Sequence, residues 1–435
     1  MKTLLAIAIA AIWFWFRRKK EVDVKKWETN GERGSPTAPA SPGDEVSVPE
    51  GVVRIGDFAC TVRRFRTLTI PGTVQVIGRG AFAGVGRLEN VSIPPSVAEI
   101  GKGAFDGCYD LRTIVLPDSV VVVPDEFCEF CRKLRMVSLG KKTTRIGVNA
   151  FRECTELSVI ELGEALKCIG DYAFADCPAL ESVFLPDSIE EIGDGAFGFV
   201  CTPQDHLIDT PDGGRALPPD PIAPNGMPWY ENGKTDEFGN KTPLEEGFVD
   251  YFRLRSVRFG PKLRKIGSCA FDACSRLETV EIPDSVQEIG WYAFRHCLRL
   301  KSVHLGSGLS EIQNHSFEHD CCLERIVVPS GVERIGDSAF ANCLSLSSVE
   351  IGQNVRFIDN GAFRNCRSLK SVVLPPGVSI GNEAFKDCTE LVDLQFGEAV
   401  RFGPTALLGC KKLSQETRDR FRAYTGQYPV IAKES

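Results

Sequence analysis

The densest collection of reactive side chains in the sequence is the stretch NHSFEHDCCLER, residues 314–325, with two histidines, two adjacent cysteines and three acids. Imidazole and thiolate are ligands that zinc and copper accept, and neighbouring thiols carry redox chemistry. His319 follows His296 by 23 residues, and His315 and Cys321 are close in sequence. If a regular fold brought His296, His315, His319 and Cys321 to one side, they would bind such a metal opportunistically. No C-x-x-C pairing or second ligand set accompanies them, so metal is the weaker reading, no cofactor is expected, and an exposed, irregular segment is favoured. Enzyme signatures are missing too: there is no G-x-S-x-G, H-E-x-x-H, G-x-x-x-x-G-K-[ST] or glycine-rich dinucleotide turn, so no catalytic residues and no small-molecule substrate are expected.

The elements that must position these residues are announced by a repeat. An aliphatic anchor, usually followed by glycine, recurs at Ile77, Ile100, Val123, Ile146, Ile169, Ile192, Ile266, Ile289, Ile312, Ile335, Ile358 and Ile380, and Phe402 takes the last place. Eleven residues beyond the anchors stand leucines such as Leu88, Leu111, Leu277, Leu323 and Leu413, and an insertion after Ile192 delays its leucine to Leu254. Phenylalanine follows five residues after most anchors; Phe127 is displaced by one, and Leu407 substitutes at the end. The unit reads I-G-x-x-A-F-x-x-C-x-x-L-x-x-V-x-L-P-x-S-V-x-x, as in IGDYAFADCPALESVFLPDSIEE at 169–191. Such a unit is too small to bury its own apolar face and must stack on copies of itself. The alternating L-x-x-V-x-L segment predicts a short strand, and proline and glycine supply the turns. The chain is therefore predicted to be a repeat solenoid, a β coil of 22–24-residue units with one long insertion loop and a C-terminal capping helix; that the coil is parallel and leucine-rich-repeat-like is what the family resemblance given next implies. The helix falls in LSQETRDRFRAYTG, with Ser414 as N-cap, Phe421 and Tyr424 on one face and Gly426 as the stop.

This unit resembles the BspA-type leucine-rich repeat, whose signature is similar to AFxxCxxLxxVxLPxSVxxIG, over about residues 51–413 apart from the insertion. The resemblance implies a parallel-stranded solenoid, non-enzymatic binding and, frequently, cell-surface adhesion or host interaction.

In register, ten of the 17 cysteines fall on one repeat position: Cys108, Cys131, Cys154, Cys177, Cys274, Cys297, Cys343, Cys366, Cys388 and Cys410. A small apolar side chain with a weak donor suits a packed interior ladder, so these are expected to be structural. Asp320 stands where the NHSFEHDCCLER unit should carry its cysteine, and His296 and His319 occupy one site on adjacent coils. The residue between the last two apolar strand positions should face outward. That column includes Val115, Phe184, His304, Val327 and Val373, candidates for partner contact against the plainer reading of scattered exposed side chains.

With 51 basic and 58 acidic residues the formal net charge is −7, which gives no electrostatic reason to expect nucleic acid. Residues 1–20 hold an apolar run, 3–16, followed by RRKK, and are expected to be a membrane anchor or signal segment. Membrane association through residues 3–20 follows, with the side unsettled: the positive-inside rule points to the cytoplasmic face and the family resemblance to the cell surface. The expected domain sequence continues with a flexible linker at 21–50, a first half of the solenoid at 51–200, a loop insertion at 201–252, a second half at 253–413, and a cap helix and tail at 414–435. Long loops on rigid scaffolds often carry binding, which makes Trp229 and Tyr230 of the insertion candidate aromatic anchors. The functional expectation is an adhesin-like interaction scaffold, tethered or exported, that binds a protein or other macromolecule; the alternative is a structural envelope or assembly component without a specific ligand.

Overall fold

The computed structural model describes residues 45–61, 63–198 and 252–425, together with the strand segments Trp27–Thr29, Ile208–Asp209 and Arg215–Ala216. The chain winds into a parallel β-solenoid of about thirteen turns, and each coil contributes two strands. The first, three residues long, buries only its middle side chain, as in Thr279–Glu281, which is what a period of two requires of a sheet with one face in the core. It stacks on Ser302–His304 one period later, pairing Thr279 with Ser302, Val280 with Val303 and Glu281 with His304. Proline commonly follows it by two residues, as Pro117 follows Val115; lacking an N–H, proline ends the ladder there. The second strand is two residues long and ends on the buried anchor, as in Glu288–Ile289.

Ladder register survives the insertion. Ser182–Phe184 pairs in parallel with Ser256–Arg258, and Ile192 pairs with Ile266. The glycine after the anchor is required by this stacking: a Cβ at Gly101 would lie 2.4 Å from the Arg79 backbone nitrogen.

The third side of each coil is the A-F-x-x-C turn, which needs the left-handed backbone region three and seven residues after the anchor. Early coils use glycine there, at Gly80, Gly84, Gly103 and Gly107, but later ones place Tyr172, Asp176, Tyr292, His296, His315 and His319 at φ between 55° and 66°. That conformation costs an L-residue about 1 kcal/mol. Backbone hydrogen bonds to the next coil offset it: His296 N–H donates to the Glu318 carbonyl at 3.0 Å, and His319 N–H to the Ala341 carbonyl at 2.9 Å.

The core is one column of stacked phenyl rings. Phe271, Phe294, Phe317, Phe340 and Phe363 follow one another at 5.2–5.5 Å with planes within 7°. Phe127 breaks the column. It occupies the position of the consensus alanine while Cys128 occupies that of the phenylalanine, and it meets Phe105 and Phe151 edge-on at 88° and 89°. At the C-terminal end α1 (Gln415–Thr425) closes the core. Thr417 N–H donates to Ser414 Oγ at 3.1 Å, the N-cap bond, and the buried Phe421 ring packs against Phe396 and Phe402.

The membrane assignment is corrected. Among the described residues no helix is long and apolar enough to cross a membrane; the 11 residues of α1 extend only about 16 Å against a hydrocarbon core of about 30 Å. Residues 3–20 themselves, on which that expectation rested, lie outside the described residues, as do Trp229 and Tyr230.

Candidate functional site

Six residues after the anchor the turn points a side chain into the gap between coils, and there the sequence places charges. One set is Asp272, Arg295 and Glu318, on three successive coils at steps of 23 residues. Asp272 is fully buried, and Arg295 grips it with two bonds, Nε to Oδ1 at 3.2 Å and Nη2 to Oδ2 at 2.8 Å. His296 Nδ1 approaches the same carboxylate at 3.5 Å, and the guanidinium lies 4.5 Å from the centre of the Tyr292 ring. Burial alone would push Asp272 up; the Arg295 charge and the bonds from His296 and Arg295 outweigh it and hold the carboxyl down at about 2. Glu318 is likewise brought to about 2 against its burial, chiefly by the hydrogen bond from His315 and by His319. A second set, Asp106, Glu129 and Arg152, has the same spacing but the wrong order of charge, acid beside acid. Burial, with Glu126 adding repulsion, pushes Asp106 up to about 6; burial pushes Glu129 up to about 7 against the pull of Arg152.

The candidate metal ligands are arranged around the first set. His296 and His319 stack at 4.9 Å with planes 22° apart, and His315 stacks on Tyr292 at 4.7 Å. Their nitrogens are committed elsewhere: His315 Nδ1 to Glu318 at 2.8 Å, His319 Nε2 within 3.3 Å of Asn342 Nδ2, and His296 toward Asp272. Cys321 Sγ–H donates to the His319 carbonyl at 3.3 Å, and burial pushes its thiol up to about 12, far from the thiolate a metal would need. Stacked rings present parallel faces rather than converging lone pairs. Among the described residues no group of three or more His, Cys, Asp or Glu is placed to hold a metal ion. One expectation about this stretch is overturned, since Asp320 is not exposed but buried at 0% accessibility.

All ten ladder cysteines are buried, and each thiol donates to a carbonyl of the preceding coil. Cys108 reaches Phe82, Cys131 reaches Phe105 and Cys343 reaches Phe317, all at 3.2 Å, and no disulfide joins the described cysteines. The sequence reading missed a C-x-x-C, Cys128 with Cys131, but both are fully buried and belong to this interior. It also missed the charged column, although opposite charges at steps of 23 residues were there to be found.

The outer face of the first strand ladder is where the remaining candidates lie. Val115, Val327 and Val373 are exposed, His304 stands on the exposed edge of its strand, and Phe184 is 70% exposed. Phe184 sits in register with Arg258, with Glu161 at the same position one coil earlier. On the same strand, Ser182 borders a surface groove of about 790 Å³ that is also lined by Arg135, Glu156, Ser158, Glu181 and Arg253.

A turn built around buried phenylalanine and cysteine and joined to two parallel ladders, repeated every 23 residues, defines a leucine-rich-repeat solenoid. The chain belongs to the BspA-type leucine-rich repeat family: the family model for the BspA type leucine rich repeat region (6 copies) matches residues 53–141, 122–204, 244–368 and 310–418. Among solved structures it is similar to a leucine-rich repeat protein from Bacteroides ovatus, with 26% identity, 85% of each chain covered and a TM-score of 0.61. A leucine-rich cell surface protein from Faecalibacterium prausnitzii matches at 22% identity over 81% of this chain and 88% of that one, TM-score 0.39. A leucine-rich repeat protein from Eubacterium ventriosum matches at 17% over 85% and 86%, TM-score 0.46. The fold comparison rests on the first of these. No curated protein matches the chain.

Proposed function

We propose that the chain is a non-enzymatic scaffold that binds a protein partner across the outer face of its first strand ladder, centred on Phe184. The carrying observation is that ring: a large aromatic, mostly exposed, on a rigid strand in the middle of the array, with Glu161 and Arg258 at the flanking positions of its column. Nothing in the core requires a phenylalanine there, and burying it against a partner would contribute about 1.5–3 kcal/mol. Aromatic anchors ringed by polar groups are the usual centres of binding energy in interfaces, and the open faces of solenoids are the surfaces these proteins use. Residues 201–252, with Trp229 and Tyr230, join the proposal from their sequence, since the chain that follows them runs back beside this strand, Arg255 N–H donating to the Glu181 carbonyl at 2.9 Å.

The test is capture of partner proteins by the immobilised full chain, comparing wild type with Phe184→Ala and with a deletion of residues 201–250. Phe184→Ala should weaken capture about thirtyfold, the size of a hot spot of about 2 kcal/mol, without changing the thermal unfolding midpoint. Undiminished capture by both variants would overturn the reading.

A further inference from the structure

Asp320 occupies a cysteine's place in the ladder, and its two oxygens meet the two bonds that a cysteine makes there unequally. In ordinary coils the sulfur receives a backbone N–H from one coil earlier, as Cys297 does from Cys274 and Cys343 from Asp320. Its own S–H is donated to the carbonyl 26 residues earlier, as from Cys297 to Phe271 at 3.5 Å and from Cys343 to Phe317 at 3.2 Å. Asp320 Oδ1 reproduces the first bond, accepting the Cys297 N–H at 2.9 Å. Its Oδ2 is buried without a partner, and by the same 26-residue spacing the group opposite it is the Phe294 carbonyl. Two acceptors facing each other in a dry core cannot bond unless a proton lies between them.

We infer that Asp320 is held as a neutral carboxylic acid that replaces the ladder thiol, its Oδ2–H donating to the Phe294 carbonyl, and that the seam between the coils beginning at Ile289 and Ile312 is consequently proton-dependent. The titratable groups facing it offer no compensation for a charge. Asp272 and Cys297 lie on earlier coils, Glu318, Cys321 and Cys322 on its own coil, and Cys343 on the next. The nearby cation, Arg295, is bonded to Asp272. Burial pushes the Asp320 carboxyl well above its usual range, Asp272, Cys322 and Glu318 add repulsion, and the Cys297 N–H pulls the other way without reversing it. The sign follows. The folded state keeps a proton that the unfolded state, titrating near 3.8, has released. Stability supplied by this rung is therefore complete below that pH and declines as pH rises, until the folded group has ionised.

Two variants of the full chain test this. Asp320→Cys restores the ordinary rung, and Asp320→Asn keeps the shape without the titration. Above about pH 5 the wild-type unfolding constant, relative to that of Asp320→Cys, should rise with pH by up to about tenfold per unit, the slope of one proton, for as long as the folded group keeps its proton. Infrared difference spectra of wild type minus Asp320→Asn should show the carbonyl stretch of a protonated carboxyl at pH 6. Superimposable pH profiles for wild type and Asp320→Cys, or an infrared difference at pH 6 containing only carboxylate bands, would overturn the inference.

Discussion

Arg295→Met is expected to destabilise the protein by about 3–5 kcal/mol, the cost of stranding a buried charge. Asp272, at 0% accessibility, would lose the bidentate grip of its guanidinium partner and retain the 3.5 Å approach of His296, while methionine preserves most of the packing volume against Tyr292. The penalty belongs to the orphaned acid and not to the loss of an attractive pair, which a second variant separates. Replacing both partners, as Asp272→Leu with Arg295→Met, should return stability to within about 2 kcal/mol of wild type, because the desolvation cost of two ions disappears together with their attraction. Urea unfolding of the three chains measures both figures; equal losses in the single and double variants would contradict the account. Acid adds an independent readout. Folded Asp272 titrates at about 2 and its unfolded counterpart near 3.8, so the folded state binds fewer protons between those values. Its stabilisation of about 2 kcal/mol is present above pH 4 and is lost as pH falls toward 2. The double variant should lack that part of the acid transition.

How much of this was legible in the sequence depends on whether a position tolerates substitution. Ile289, Phe294 and Leu300 each fill one slot in a core where coils are about 4.8 Å apart, so their types and spacing repeat, and a period of 23 can be counted by eye. Register across the insertion was legible for the same reason, Leu254 and Ile266 resuming the count. The left-handed turn positions were not. Their requirement is on φ, and Gly84, Asp176, His296 and Asn342 all meet it, so His296 and His319 looked like chemistry when they were variants of a backbone device. Charge was passed over for another reason: a charged side chain is usually solvated, and only the fold shows that Asp272 and Arg295 neutralise each other across one period while Glu318 is held by His315 and His319 of its own coil. Asp320 read as an exposed irregularity on the same ground. The chain's place in the family was visible in the A-F-x-x-C and L-P-x-S-V segments, whereas nothing in the repeat itself singled out Phe184 from the other outward residues.

Phe317→Ala, inside the NHSFEHDCCLER stretch, tests what that stretch is for. Phe317 is fully buried and lies between two parallel rings, Phe294 at 5.5 Å and Phe340 at 5.4 Å. Truncating a phenylalanine in a packed core costs about 3–5 kcal/mol, and two stacking contacts add to the burial. If the stretch were a metal or redox centre, its integrity would rest on His315, His319 and Cys321, and this ring would matter little. In a solenoid each coil contacts only its neighbours, so stability is a sum of coil and interface terms, and losing one ring weakens two interfaces at once. The expected result is a local one. Amide hydrogen exchange should accelerate in the coils spanning about 289–357 by at least a hundredfold, while the coils before Ile192 keep their protection. The same measurement on Phe127→Ala should move the accelerated segment to the coils spanning about 100–168, because that ring is also fully buried between Phe105 and Phe151 and Cys128 puts no second phenyl in its place. Acceleration spread evenly over the whole array after Phe317→Ala would mean that the coils unfold as a single cooperative unit, contrary to the nearest-neighbour picture.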